Sequence, residues 1–265
     1  MSRTLIDRRH FLALPLALFL APLARAGAAG GAHKAPYGVD VSLLYGALTY
    51  RVEGSLTETI DRPSGRYDVA IAGEGDGIVH RIESAGTFRH GRWSPLGTRS
   101  FFSVKGRESR SAITYDHARR SVEYHFKGET FFFRRLRVVD DVLPIPEGLL
   151  VDDSISAMLN YGDQLWAPQA DGSFVTHVVR RKVVRNEGPD DVQQHYRAEL
   201  VPFKLKIGVD AETRKPMAQF DLTRFSSWAK QDQPAQVTFG PDRRPERLNL
   251  PMILGTSVQI RLKTG

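Results

Sequence analysis

Six histidines of the region expected to fold, His80, His90, His117, His125, His177 and His195, are the residues best suited to metal or acid–base chemistry. None stands at the close spacing of a metal pair. His117 and His125 could approach across a short hairpin at Ala118-Arg119-Arg120, with Asp116 completing a zinc-like set. A polar strand face beside a turn explains the same residues more simply. Two acidic doublets, Asp140-Asp141 and Asp152-Asp153, flank the stretch Pro144-Ile145-Pro146-Glu147-Gly148. Four carboxylates would suffice for calcium or for an acid/base pair, but neighbours in an extended chain point to opposite faces, so each doublet offers one ligand to a given site. A loop end and a helix cap are the plainer assignment. No Gly-x-Ser-x-Gly elbow supports a serine nucleophile, and Ser154 suits the first turn of a helix. Gly73-Glu74-Gly75-Asp76-Gly77 lacks the lysine and the following amphipathic helix of a phosphate loop and reads as a hairpin turn. These patterns assign no catalytic residue, no metal site and no cofactor.

The elements that would hold such groups are mostly strands. Leu48, Tyr50 and Val52 alternate with polar neighbours, and Tyr67, Val69 and Ile71 follow the turn Arg62-Pro63-Ser64-Gly65. The period of two continues through Ile78 to Ile82, Ile113 to Tyr115, and Val122, Tyr124 and Phe126. It returns at Phe174 to Val184, His195 to Val201, Phe203 to Ile207, Met217 to Leu222, Gln236 to Phe239 and Val258 to Leu262. An antiparallel sheet with one buried face is expected. The run Phe131-Phe132-Phe133, followed by Arg134, Arg135 and Arg137, reads first as a buried strand leaving the core and second as an apolar patch with a basic rim. One helix is expected, capped by Asp152 or Asp153, carrying Ile155, Met158 and Leu159 at helical spacing and stopped by Gly162. The Pro-rich residues 140–150 read as a hinge between two sheet halves.

Composition bounds the rest. The 265 residues are 41% hydrophobic and 25% charged, with 23 Gly and 15 Pro, which is globular and rich in turns. Asp7-Arg8-Arg9-His10-Phe11-Leu12 precedes an apolar run to Leu23, and Ala24-Arg25-Ala26 supplies the small residues of a cleavage site. Residues 1–26 are therefore expected to be a twin-arginine-like signal peptide, with a Sec leader as the alternative. Cleavage before Gly27 would leave a soluble periplasmic chain. The leader carries a net three of the seven positive charges, and the remaining +4 is too dispersed to suggest nucleic acid. No later segment is long and apolar enough for a membrane-spanning helix. The absence of Cys excludes disulfides and thiolate sites. Residues 27–36 read as a disordered tether, and 37–265 as a single β-rich domain, possible as two sheet halves divided near 140–165.

Four stretches stand together over the span 45–262: Tyr45-Gly46-Ala47-Leu48-Thr49-Tyr50-Arg51-Val52, the Gly-Asp-Gly turn before Ile78-Val79-His80-Arg81-Ile82-Glu83-Ser84-Ala85-Gly86, Tyr115-Asp116, and the helix start Asp152-Asp153-Ser154-Ile155-Ser156-Ala157-Met158-Leu159. On these residues the span resembles the bacterial envelope family catalogued as domain of unknown function 3108. The resemblance implies a mainly β fold, a curved antiparallel sheet or half-barrel packed on one central α-helix, similar to carriers that shelter acyl chains. It transfers no catalytic residue. The expected function is non-enzymatic binding or carriage of an apolar or lipid-like envelope molecule, with Tyr50, Phe126, Phe132, Met158, Leu159 and Trp166 as candidate ligand-binding residues. One rival is an envelope assembly or scaffold protein that binds a protein partner through an edge strand or the Arg134 to Arg137 rim. The other is a hydrolase whose His and Asp residues converge only in the fold.

Overall fold

A computed structural model describes residues 32–262 apart from 131, 185, 186, 189, 227, 228 and 254, and apart from the side chain of Leu44. The expected leader, and residues 27–31 of the expected tether, lie outside the described residues. The chain opens with β1 (His33–Leu43), β2 (Leu48–Asp61), β3 (Arg66–Gly75), β4 (Ile78–Arg89), β5 (Arg92–Val104), β6 (Arg107–Asp116), β7 (Ser121–Glu129) and β8 (Leu136–Pro144). After α1 (Ser154–Gly162) come β9 (Phe174–Arg181), β10 (Ala198–Val209), β11 (Pro216–Phe220), β12 (Ala235–Phe239), β13 (Pro245–Pro251) and β14 (Ser257–Leu262). All fourteen strands form one antiparallel sheet, ordered from β8 down to β1 and then from β14 down to β9.

The hairpins β3–β4, β4–β5 and β5–β6 each turn through two residues, Asp76-Gly77, His90-Gly91 and Lys105-Gly106, all at positive φ. That geometry matches the right-handed twist of the flanking strands, and glycine at the second position adopts it without a Cβ clash.

The two ends of the sheet approach one another, so the expected half-barrel is in fact nearly closed. Residues 150–152 run parallel along β9, where His177 N–H donates to Leu150 O and Asp152 N–H to His177 O, both at 2.9 Å. At the head of β10, Ala198 N–H donates to the Asp141 carboxylate of β8 at 2.8 Å, beside a parallel bridge between Val139 and Tyr196. Edge groups that an open sheet would leave to solvent thus find partners.

Inward positions of β10–β14 are apolar: Leu205, Ala218, Val237, Leu248 and Val258 are each no more than 5% exposed. Across β1–β4 one register row reads Tyr37, Gly54, Gly73, His80, and the Tyr37 ring lies over the two glycines so that its hydroxyl meets His80 Nε2. A Cβ on Gly54 would stand 2.4 Å from the Tyr37 ring, and one on Gly73 2.7 Å from His80 Cε1, so both positions require glycine.

Residues 155–161 of α1 are all buried. Asp153 is the N-cap, its Oδ1 accepting Ser156 N–H at 2.7 Å while Ser156 Oγ accepts Asp153 N–H at 3.1 Å, a reciprocal cap with serine in the usual glutamate place. No described helix is long and apolar enough to cross a membrane.

Three expectations need correction. Residues 33–36 belong to the sheet and not to a tether, because β1 pairs with β2 from His33 opposite Glu58 and Ala35 is buried. The phenylalanine run is not a core strand: Phe132 and Phe133 stand exposed between β7 and β8, while Phe131 lies outside the described residues. Residues 140–144 belong to β8, fully paired with β7, rather than to a hinge.

Candidate ligand-binding groove

From Ile78 to Ala85 β4 pairs with β5 in one register, and β5–β8 continue it, which lines up side chains from five strands. On the face turned away from α1, one row reads Arg81, Phe101, Arg110, Lys127, Val138, and the next reads Glu83, Arg99, Ala112, His125, Asp140. Between them the inward row reads Ile82, Ser100, Ser111, Phe126, Val139. Its neighbour Ser84 reaches the N-cap of α1, which fixes this as the inner face. The two outward rows bound a cavity of about 580 Å³ with an apolar lining and tall cationic walls. Small Ala112 leaves the depth, and the long side chains around it supply the height.

The charges in this groove are unevenly paired. Arg110 donates to Glu108 at 2.9 Å and lies 5.0 Å over the Phe101 ring, and His125 Nδ1 meets Asp140 at 2.9 Å. Arg81, Arg99 and Lys127 are exposed and make no ion pair among the described residues. Apolar side chains adjoin them: Leu136, Val138 and Val142 of β8 are all exposed on the same face, with Asp140 between the last two.

Most remaining polar chemistry serves to hold α1. Buried Asp152 accepts from Arg92 and, at 2.6 Å, from Thr176 Oγ1. Burial raises its pKa, against the pull of the Arg92 charge. Asp153 Oδ2 accepts from Ser84 and, at 2.6 Å, from Thr98. Asn160 closes both its amide groups on the Trp93 backbone, at 2.8 and 2.9 Å. At the other end Asp163 takes two bonds from Arg62, at 2.8 and 3.0 Å, and one from Trp93 Nε1 at 2.9 Å. Burial alone would raise the Asp163 pKa, but these donors and Arg244 hold it below the usual value. Such a network positions a helix rather than a reactant: each carboxylate is already occupied by donors.

The residues singled out in the sequence do not converge. Met158, Leu159 and Trp166 are buried in the main core, with Trp166 Nε1 donating to Val175 O at 3.1 Å. Tyr50 is half-buried on β2, its hydroxyl accepting from Lys105 at 3.1 Å. Phe126 borders the groove while its ring stacks with Tyr124 on the inner side. Phe132 is exposed, and its N–H is held by Asp190 at 2.9 Å. His117 and His125 also part company: His117 Nε2 bonds Pro95 O at 2.7 Å, far along the hairpin from the His125–Asp140 pair. Asp140 faces out and Asp141 faces in, as alternation requires. Arg81, Phe101, Arg110, Lys127 and Val138 carry no local sequence signal, since only pairing register brings them together.

No family model matches the chain, and no curated protein matches it. A solved structure described as a β-barrel-like protein of domain of unknown function DUF1849, from Brucella abortus, is similar over 88% of this chain and 96% of that one, at 11% identity and a TM-score of 0.40. The resemblance to domain of unknown function 3108 is therefore corrected. Its quoted residues are alternating strands, a Gly-containing turn and a capped helix start, which any meander of this kind repeats.

Proposed function

We propose that the chain is a non-enzymatic binding protein that holds an apolar or lipid-like molecule on the outer face of β4–β8. The observation that carries this reading is the groove of about 580 Å³, whose apolar lining continues through Val138 into exposed Leu136. Its volume falls in the range of small-molecule sites. Of the residues marked in the sequence, Phe126 belongs to this site; Met158, Leu159 and Trp166 serve the core on which the sheet packs around α1. In the same reading residues 1–26 direct export to the periplasm and the working chain begins at Gly27. Native mass spectrometry of protein purified from its own compartment, followed by solvent extraction, tests the binding role. A stoichiometric apolar molecule is expected, and its loss in Ala112→Arg, which fills the groove, assigns the site. A clean apo chain from wild-type cells would count against the reading.

A second reading rests on a different observation. Phe132 and Phe133, with Arg134 and Arg135 beside them, stand exposed next to the apolar side chains of β8. Aromatic and arginine side chains are enriched where proteins meet, so this end of the sheet also suits a protein partner. Phe133→Ser would then dissolve a complex without altering ligand content.

A further inference from the structure

We infer that the ligand of this groove is an anionic single-chain amphiphile, its headgroup seated on Arg99, Arg110 and Lys127 and its tail laid along β8; the inference rests on the binding role proposed above. Strand spacing sets the scale, because a row crossing five strands spans about 19 Å, long enough to separate a polar from an apolar end. The chemistry changes along that length. Toward β5–β7 the groove carries Arg99, Arg110 and Lys127, and at β8 it meets Val138 with Leu136 beside it, while Asp140, held by His125, separates Val138 from Val142.

Carboxylates do occur on this face, and their placement decides the sign of the ligand. Glu108 is engaged by Arg110, Asp140 by His125 and Glu129 by Arg134, while Glu123 stands exposed opposite Val142, away from the Leu136–Val138 end. Glu83 stands opposite Arg99 in register, yet the two form no ion pair. Arg99 and Lys127 thus remain exposed cations beside an apolar surface, where an anion recovers Coulomb energy in a medium less screening than bulk water. A neutral amphiphile would leave that attraction unused, and a cationic one would be repelled. The Arg110 guanidinium over Phe101 adds a planar donor at the boundary between the two ends.

Isothermal titration of the full chain with decanoate, decanol and acetate tests the inference, since these probes separate headgroup, tail and their combination. Decanoate is expected to bind about tenfold or more tighter than decanol at low salt, with the gap shrinking in about 0.5 M NaCl. Acetate should bind far more weakly than decanoate. In Arg99→Gln/Lys127→Gln the decanoate affinity should fall to that of decanol, with decanol unaffected and the fold intact by circular dichroism. Decanol binding as tightly as decanoate, or a preference that survives the double substitution, overturns headgroup selectivity while leaving the binding role in place. Acetate matching decanoate makes the groove a free-anion site and also overturns the inference. If neither ten-carbon probe binds, the binding role fails and this inference falls with it.

Discussion

Strands β10–β14 and strands β4–β8 belong to one sheet but solve the inward side differently. In the first group Leu205, Ala218, Val237, Leu248 and Val258 close over one another without a hydroxyl among them. In the second, Ser84, Thr98, Ser100 and Ser111 occupy inward places, the first two bonding Asp153 and the last two each other at 2.7 Å. The dry region excludes water and supplies burial energy in proportion to area. The polar region supplies direction: donors aimed at Asp152, Asp153 and Asn160 fix where α1 sits and how it is rotated. Freed from building a continuous apolar layer, β4–β8 can present a groove on their other face.

Breaking the latch should give the largest effect. Arg92→Leu leaves the Asp152 carboxylate buried beside an apolar side chain, and a loss of about 3–5 kcal/mol in urea denaturation is expected. A loss below about 1 kcal/mol would mean the latch contributes little to stability. In the dry region Leu205→Ala, at a fully buried site, should cost roughly 3 kcal/mol by lost transfer energy and cavity together.

Between pH 6.5 and 4, acid should act through His80 on β4. Burial lowers the pKa of His80 from 6.5 to about 4, so an unfolded chain takes up a proton that the folded chain refuses. The folded state is therefore favoured above pH 6.5 and loses stability as the pH falls toward 4, by roughly 3 kcal/mol over that window. Tyr37→Phe/His80→Phe removes both partners of the pair, and its urea midpoint should lose this component of the pH dependence; an unchanged slope would assign the titration elsewhere. The smallest effect sharpens the contrast. Ser100→Ala/Ser111→Ala removes a half-exposed hydroxyl pair as a unit and should change stability by no more than about 1 kcal/mol.

The helix was legible because its signals are local: an acidic cap, three apolar residues at helical spacing and a terminal glycine. Strands such as β3 were legible because Tyr67, Val69 and Ile71 alternate cleanly. β5 escaped notice since its inward residues include Thr98 and Ser100, which erase the apolar period, and a register shift between Ala85 and Gly86 changes phase against β4. β8 carries Leu136, Val138 and Val142 outward and Asp141 inward, an inversion that resembles a loop. The groove was illegible for a further reason. Arg81 and Lys127 are far apart in the chain, and each alone is an ordinary outward-facing strand charge; pairing makes them neighbours.

The order of the strands also bears on how the chain reaches this state. Every strand pairing joins consecutive strands except β1 with β14, where Tyr37 meets Leu262. Two meanders can therefore zip up hairpin by hairpin with little loop-closure entropy, leaving the β1–β14 seam and the contacts of β8 with Tyr196 and Ala198 to unite them. The exposed stretch Pro146-Glu147-Gly148 lies between the meanders. A chain severed there yields two pieces that each retain a full set of local hairpins, and their reassembly depends on the β1–β14 seam and the anchorage of α1.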